Sequence, residues 1–217
     1  MRDSELDLRD ELLRQARRML TGGLVFGTSG NLSARPPRAS WCLVTPSGVD
    51  YQAMQPEDLV MLDLEGKLLR QGMKPSVDAP IHLAVYRARA DVCAVIHTHS
   101  PYAAAFSTLY REIPPLITES AGFLGGGVRV LEYVPPAQPD TGDRVAAGLG
   151  NDRAVLLPNH GVVAVGEDLH NCYTAAAQVE EMARIAFIAL QLGEPRHVSQ
   201  SEIERLHQFI HHEYGQR

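Results

Sequence analysis

The chain has few cysteines, and their positions give no sign of a disulfide framework or of a cysteine-based structural metal site. The chain has three cysteines, an odd number, at the widely spaced positions Cys42, Cys93 and Cys172. No two of them form a Cys-x-x-Cys pair. Small extracellular scaffolds and structural zinc modules depend on paired or closely spaced cysteines. We therefore expect three free thiols and a reducing compartment.

The chain also lacks an excess of positive charge and any long apolar run. With 26 acidic and 20 basic residues, its formal net charge is −6, so it has no basic surface for nucleic acid. Six of its first ten residues are charged, and no apolar run reaches the roughly 20 residues of a membrane span. We expect a cytoplasmic protein without nucleic-acid or membrane partners.

The remaining composition, 45% apolar and 21% charged in 217 residues, is that of an ordinary globular protein. Apolar periodicity and capping signals predict helices that end at about residue 21 and span 78–89, 168–192 and 199–214. Apolar runs predict strands at 41–45, 59–63, 67–69, 92–96, 129–131, 154–157 and 162–165. Without a linker or an internal repeat, this mixture predicts a single α/β domain over residues 1–217.

The most informative stretch is the predicted strand at 92–96, which is followed by His97 and His99. Side chains two residues apart on a strand point to the same face, so these imidazoles converge. His160 lies in an Asn-His-Gly turn between two apolar strands, where the scaffold fixes its position. Three histidines with one open position are typical of a catalytic metal site. The alternative for His97 and His99 alone is a pair of ordinary histidines at a strand end.

Asp78 is the best candidate for a carboxylate beside these histidines, because it begins the helix that precedes the histidine strand. The same position suits a helix N-cap, and the two roles are compatible. His82 follows one turn later, and we expect it to pack near the site rather than to bind metal. On the last helix, we expect His207, His211 and His212 to form a solvent-exposed face rather than a second metal site.

Three short segments rich in glycine and hydroxyl groups have the composition of an anion-binding site. Their candidate residues are Gly30, Asn31, Thr45, Ser47, Gly48 and Ser76. Backbone N–H groups and side-chain donors in such loops can hold a phosphate without a lysine. Each segment alone could be an ordinary turn. Their combination with a metal site favours a phosphorylated substrate.

The order of these motifs resembles that of the class II aldolase/adducin family over nearly the whole chain. The motifs are Gly27-Thr28-Ser29-Gly30-Asn31-Leu32-Ser33, Thr45-Pro46-Ser47-Gly48, Lys74-Pro75-Ser76-Val77-Asp78, His97-Thr98-His99-Ser100 and Asn159-His160-Gly161. The resemblance implies an α/β/α layered fold around a central, mainly antiparallel sheet. It also implies a homotetramer with active sites between subunits, a small sugar-phosphate substrate and a Zn²⁺ cofactor, with Mn²⁺ or Co²⁺ as alternatives.

The same resemblance implies a role for each candidate residue. The family's zinc ligands match His97, His99 and His160, and its phosphate loops match Asn31, Thr45, Gly48 and Ser76. Asp78 falls where family members place an aspartate, or a glutamate that binds zinc and moves a proton. Tyr214 matches a tyrosine that donates a proton at the neighbouring subunit's site, and Glu119 lies near a further acid/base position. Val77 replaces a serine, so one phosphate-binding hydroxyl is missing.

The implied reaction is the reversible cleavage of a short ketose 1-phosphate, of the fuculose 1-phosphate or 5-deoxyribulose 1-phosphate type, to dihydroxyacetone phosphate and an aldehyde. Zinc would stabilise the enediolate, and Asp78, Glu119 and Tyr214 would move protons. Two alternatives within the family stay open, a 4-epimerase, which Asp78 favours, and a decarboxylase, which Val77 favours. A non-catalytic adducin-like interaction module is a third, but it has no need of three convergent histidines.

Overall fold

The computed structural model describes residues 2–136 and 138–213, and its centre is a six-stranded sheet. The strands are β1 (Asn31–Ala34), β2 (Trp41–Val44), β3 (Val60–Asp63), β4 (Ala94–Thr98), β5 (Ala154–Leu157) and β6 (Gly161–Gly166). They lie in the order β3-β2-β1-β4-β6-β5, and each neighbouring pair is antiparallel. The prediction of a central antiparallel sheet is confirmed.

The structure describes seven α-helices, which cover both faces of this sheet. They are α1 (Arg2–Thr21), α2 (Ala79–Ala88), α3 (Pro101–Thr108), α4 (Thr118–Leu124), α5 (Thr141–Leu149), α6 (Leu169–Leu192) and α7 (Gln200–His212). Apolar residues of α1, α3, α4 and α6 pack on one face, and those of α2 and α5 pack on the other. The predicted α/β/α layers are therefore confirmed. In the described ranges, no helix is both long and apolar enough to cross a bilayer.

Alternation along the strands decides which side chains enter which core. In β4, Ala94 and Ile96 belong to the core beneath α1 and α6, whereas Val95 belongs to the core beneath α2 and α5. Since successive strand residues alternate faces, His97 points toward α2, as Val95 does. By the same rule Asn31 and Ser33 of β1 point toward α2, because Leu32 and Ala34 lie in the opposite core. Polar residues thus share the α2 face of the sheet.

Several predicted elements differ from those in the structure. The predicted strands at 67–69 and 129–131 are only isolated bridges, Leu62 with Leu68 and Val130 with Leu156. The strand β1 was not predicted, and it begins at Asn31 within the first glycine-rich segment. The helices α3, α4 and α5 were not predicted. Each is only seven to nine residues long, too short to show a clear 3.6-residue period.

The capping signals of the two C-terminal helices behave as expected. The carboxylate of Asp168 accepts a hydrogen bond from the Asn171 N–H and begins α6, and the Ser199 hydroxyl accepts one from the Glu202 N–H and begins α7. The start of α3 is capped differently. Its N-cap residue Ser100 makes no side-chain capping bond.

Glu180 of α6 supplies that cap from outside the helix. Its carboxylate accepts hydrogen bonds from the backbone N–H groups of Tyr102 and Ala103, at 3.0 and 2.9 Å. These donors belong to the first turn of α3, where intrahelical partners are lacking and the helix dipole favours negative charge. Glu180 therefore anchors the segment that directly follows His99 and Ser100.

Substitution Glu180→Gln is expected to lower the free energy of unfolding by about 1–2 kcal/mol, because an amide replaces the negative charge at the helix start. Glu181→Gln is the matched control, since Glu181 forms an exposed ion pair with Arg184 and its substitution should change stability by less than about 0.5 kcal/mol. Urea denaturation of both variants measures the difference. Equal effects of the two substitutions would contradict the capping role.

Candidate metal centre and active site

Three histidines converge at one end of the sheet. His97 is the penultimate residue of β4, His99 follows the strand, and His160 lies in the turn between β5 and β6. The Nε2 atom of His97 lies 2.9 Å from Nε2 of His99 and 3.2 Å from Nε2 of His160. Two nitrogens bound to one tetrahedral Zn²⁺ at about 2.0–2.1 Å would be roughly 3.3 Å apart. The spacing therefore fits a shared metal ion.

The turn that carries His160 is pressed against the end of β4. Asn159 adopts a left-handed backbone with a φ of 55°, and a Cβ at position 161 would overlap the Thr98 carbonyl oxygen. Only glycine permits this close approach. Gly161 therefore brings His160 within reach of His97.

The protonation of His97 suits a metal ligand. Its Nδ1 lies 2.8 Å from the Val162 carbonyl oxygen, and because a carbonyl only accepts hydrogen bonds, the ring proton is on Nδ1. The lone pair of Nε2 then points at the other two histidines. Burial and the neighbouring His160 together lower the pKa of His97 to about 3, so the ring is neutral at pH 7.

The donor set of the triad fits a divalent ion. The three ligand atoms lie within 4.8 Å of one another, and no other such group of histidine, cysteine or acidic side chains occurs in the part of the chain that the structure describes. His97 is buried, His160 is half-buried and His99 is exposed. An ion held there would be reached from the His99 side. This arrangement matches a catalytic site with an open position rather than a closed structural site.

Asp78 lies beside the triad, with its Oδ2 3.9 Å from His97 Nε2. It occupies the N-cap position of α2 without making a capping hydrogen bond, so the capping role is wrong for its side chain. Burial alone would raise the pKa of Asp78, but His97 and a hydrogen bond from Asn31 hold it below the ordinary value. Asp78 is therefore an ionised carboxylate next to the triad.

The three predicted anion-binding segments come together next to β4. The Thr45 N–H bonds to the Leu32 carbonyl at 3.0 Å, and the Ser76 N–H bonds to the Thr45 carbonyl at 3.1 Å. Gly30 has a φ of 72°, and a Cβ there would clash with the His97 carbonyl oxygen. The loops are therefore joined to one another and to the histidine strand.

Not every side chain in these loops is available to a ligand. Asn31 is buried, and its amide bonds to Asp78 and to His82. The Thr45 hydroxyl accepts a hydrogen bond from the Leu32 N–H, and Ser76 Oγ accepts one from the Asp78 N–H. In contrast, Ser47 and Gly48 lie exposed at the tip of their loop.

The structure does not bring Glu119 to the triad. It is an exposed residue of α4 and lines a groove between α4, α6 and α7, with Phe123 and His170 among its neighbours. That groove contains none of the three histidines or Asp78. Tyr214 lies outside the described residues.

The histidines of α7 do not form the exposed face that was expected. His207 Nδ1 donates to the Gly122 carbonyl at 2.8 Å, and His211 Nε2 donates to the Phe123 carbonyl at 3.2 Å. These carbonyls are in the last turn of α4, where they have no intrahelical partner. His207 and His211 therefore dock α7 onto α4, and only His212 is exposed.

A cavity of about 120 Å³ adjoins Asp78 and His160 and was not anticipated from the sequence. Its other walls include Ile81 of α2 and the segment from Glu132 to Pro136. No motif marks that segment, and only the fold places it against the site. The cavity gives the site a mostly apolar side chamber.

Comparisons with known proteins agree on one family. The family model described as Class II Aldolase and Adducin N-terminal domain matches residues 10–187. A 5-deoxy-D-ribulose 1-phosphate aldolase of Bacillus thuringiensis is 34% identical over 198 residues, which cover 91% of this chain and 92% of that protein. The L-ribulose-5-phosphate 4-epimerase UlaF of Salmonella paratyphi C is 34% identical over 178 residues, 77% of this chain and 78% of that protein. A solved structure of L-fuculose 1-phosphate aldolase has a TM-score of 0.90 at 30% identity and covers 94% of this chain and 96% of its own.

Substitution His97→Ala is expected to remove bound metal, because it deletes the central nitrogen of the triad. Protein purified without chelator and loaded with Zn²⁺ should hold about one ion per chain, and the variant almost none. Elemental analysis by mass spectrometry measures this content. His197→Ala, which removes an exposed histidine between α6 and α7, should retain the metal. Full metal content in His97→Ala would exclude the triad as the binding site.

Proposed function

The chain belongs to the class II aldolase and adducin family, and from this we propose that it reversibly cleaves a short ketose 1-phosphate to dihydroxyacetone phosphate and an aldehyde. It is a class II aldolase and therefore a carbon–carbon lyase. Two similar proteins are named for 5-deoxy-D-ribulose 1-phosphate and L-fuculose 1-phosphate, so we propose a substrate of that type.

The observation that carries this proposal is the convergence of three imidazoles beside an ionised carboxylate. The Nε2 atom of His97 lies within 3.2 Å of both partner histidines and 3.9 Å from Asp78. A module that only binds other proteins has no use for three imidazole nitrogens that converge on one point. The arrangement therefore supports catalysis over the adducin-like alternative.

We propose Zn²⁺ as the divalent metal that class II aldolases use. Its ligands would be His97, His99 and His160, and neutral imidazoles suit Zn²⁺ well, although Mn²⁺ or Co²⁺ could replace it. When bound, such an ion is a Lewis acid that stabilises negative charge on the substrate oxygens as the C–C bond breaks. The bond from His97 to the Val162 carbonyl keeps the ligand nitrogen free of its proton.

Proton transfer falls to the chain's own acid and base groups. Asp78 is ionised and adjacent to the triad, so we propose that it takes a proton from the substrate in the direction of synthesis and returns it in cleavage. We propose that Tyr214 serves the hydroxyl at the aldehyde end, from a neighbouring subunit. Glu119 lies away from the triad of its own chain, so a role for it would also require a neighbouring subunit.

The substrate phosphate is proposed to bind at the three joined loops. The Ser47 N–H already donates to the Lys74 carbonyl, so exposed Ser47 would offer its hydroxyl and exposed Gly48 its backbone N–H, with Gly30 and Ser76 completing the cradle. Thr45 shapes the cradle, because its side chain is engaged with the backbone of β1.

The remaining proposals concern the whole molecule. We propose one domain over residues 1–217, since a single sheet carries a core on each face. We also propose a homotetramer with sites between subunits, and a cytoplasmic location, which the free thiols Cys42, Cys93 and Cys172 support.

The first test is a coupled assay for dihydroxyacetone phosphate on a panel of ketose 1-phosphates. We expect release from a 5-deoxy or 6-deoxy substrate, loss of that release with EDTA, and recovery on addition of Zn²⁺. Release that EDTA does not affect would contradict a metal-dependent reaction. No release from any ketose 1-phosphate, with metal bound, would contradict the aldolase.

The 4-epimerase is the second candidate, because the UlaF relative is similar and position 78 is an aspartate. An epimerase would interconvert L-ribulose 5-phosphate and its 4-epimer without releasing a free three-carbon product. Incubation with L-ribulose 5-phosphate followed by chromatography of the sugars separates the two activities.

Substitution Asp78→Asn is expected to lower kcat by about 10²–10⁴-fold, because the amide cannot accept the proton. Zinc content should stay near that of the wild type, since Asp78 lies outside the triad. Asp143→Asn, which alters an exposed carboxylate on α5, is the control and should keep full activity. Loss of metal together with activity would instead make Asp78 a ligand.

A further inference from the structure

A row of polar side chains leads from the interior of the α2 layer to Asp78. The Tyr86 hydroxyl lies 2.7 Å from Ser33 Oγ, which lies 2.7 Å from His82 Nδ1. His82 Nε2 lies 2.6 Å from Asn31 Oδ1, and Asn31 Nδ2 lies 2.8 Å from Asp78 Oδ2. Five side chains are thus joined by four hydrogen bonds.

The spacing of these residues explains why they meet. The N-cap residue Asp78 is followed at four-residue intervals by His82 and Tyr86 of α2, so the three side chains lie on one face of the helix. Asn31 and Ser33 are two apart and share the α2 face of β1. Helix and strand residues therefore alternate along the row.

Only one assignment of hydrogen-bond donors and acceptors is consistent along the whole row. A carboxylate accepts hydrogen bonds, so Asn31 must present its NH₂ group to Asp78 and its carbonyl to His82. His82 must then donate from Nε2 and accept at Nδ1, which makes Ser33 a donor to the ring and Tyr86 a donor to Ser33. Burial lowers the pKa of His82 to about 4, so the ring is neutral and carries a single proton.

The far end of the row is fixed by Arg35. Its guanidinium stacks 4.6 Å from the Tyr86 ring and donates to the carbonyls of Val92 and Arg89. His82 and Ser33 are fully buried, and Asn31 is 2% exposed. Water therefore has little opportunity to replace any member of the row.

We propose that His82 and Asn31 are positioning residues, which lock the Asp78 carboxylate at the triad through the Nε2–H tautomer of His82. This inference rests on the proposed role of Asp78 in proton transfer. If the Asn31 amide flipped, its carbonyl would face the carboxylate, and two acceptors would repel each other. The Nε2–H of His82 forbids that flip, because only the carbonyl of Asn31 can accept it. The side chain of Asn31 therefore acts through Asp78.

Two substitutions at His82 separate positioning from packing. His82→Leu fills the space but gives Asn31 no donor, whereas the amide of His82→Gln can donate from near the Nε2 position. We expect His82→Leu to lower kcat by about 10–100-fold with KM changed by less than about threefold and zinc retained. His82→Gln should recover most of that loss.

Ser120→Ala is the control for stability. Ser120 is buried and bonds to Gln178 in another part of the molecule, so its loss should lower the unfolding free energy without lowering kcat. If His82→Leu folds, binds zinc and keeps wild-type kcat, the inference is wrong. Equal kcat losses for His82→Leu and His82→Gln would also overturn it.

A second measurement does not depend on turnover. Long-range ¹H–¹⁵N correlations of the imidazole rings in the zinc-loaded protein locate the His82 proton, and His82→Gln identifies the signal. A proton on Nε2 supports the inference, and a proton on Nδ1 overturns it. If the wild type shows no chelator-sensitive cleavage, the proposed function fails while this measurement still tests the row.

Discussion

The antiparallel pairing of β1, β4 and β6 is the constraint on which the candidate site depends. It sets Asn31 opposite His97, and His97 opposite Val163, so that His97 Nδ1 meets the Val162 carbonyl. A slip of one residue in this register would turn His97 and Asn31 to the other face of the sheet. The triad takes its position from these strands, and Asn31 of β1 holds the Asp78 carboxylate beside it.

The candidate site is a polar region within an apolar layer, and the fold supplies hydrogen-bond partners for its buried polar side chains. Among the described residues, no buried side-chain nitrogen or oxygen lacks a hydrogen-bond partner. Buried polar groups destabilise a protein unless they are paired, so such a network holds its members in one arrangement. Neutral rings of His97 and His82 and an ionised Asp78 are the result. Elements outside the sheet contribute as well, since Glu180 anchors α3 directly after His99.

Local patterns in the sequence were sufficient for the sheet core and the long helices. The apolar runs of β4, β5 and β6 and the caps Asp168 and Ser199 identify their elements because each signal lies within a few residues. The short helices α3 to α5 were not predicted, and the strand predicted at 67–69 is only an isolated bridge. Their formation depends on contacts such as that of Glu180 with Tyr102, 78 residues apart, which no local period records.

For the site, the sequence by itself determined the chemistry, because His97-x-His99 on one strand and His160 in a tight turn are metal-ligand types at metal-ligand spacing. Only the tertiary structure decided what each neighbour does. It placed the amide of Asn31 between Asp78 and His82, 47 and 51 residues away, and set Glu119 in a different groove. The physical reason is that residue type fixes which bonds a side chain can make, whereas strand register and helix packing fix which partners it meets.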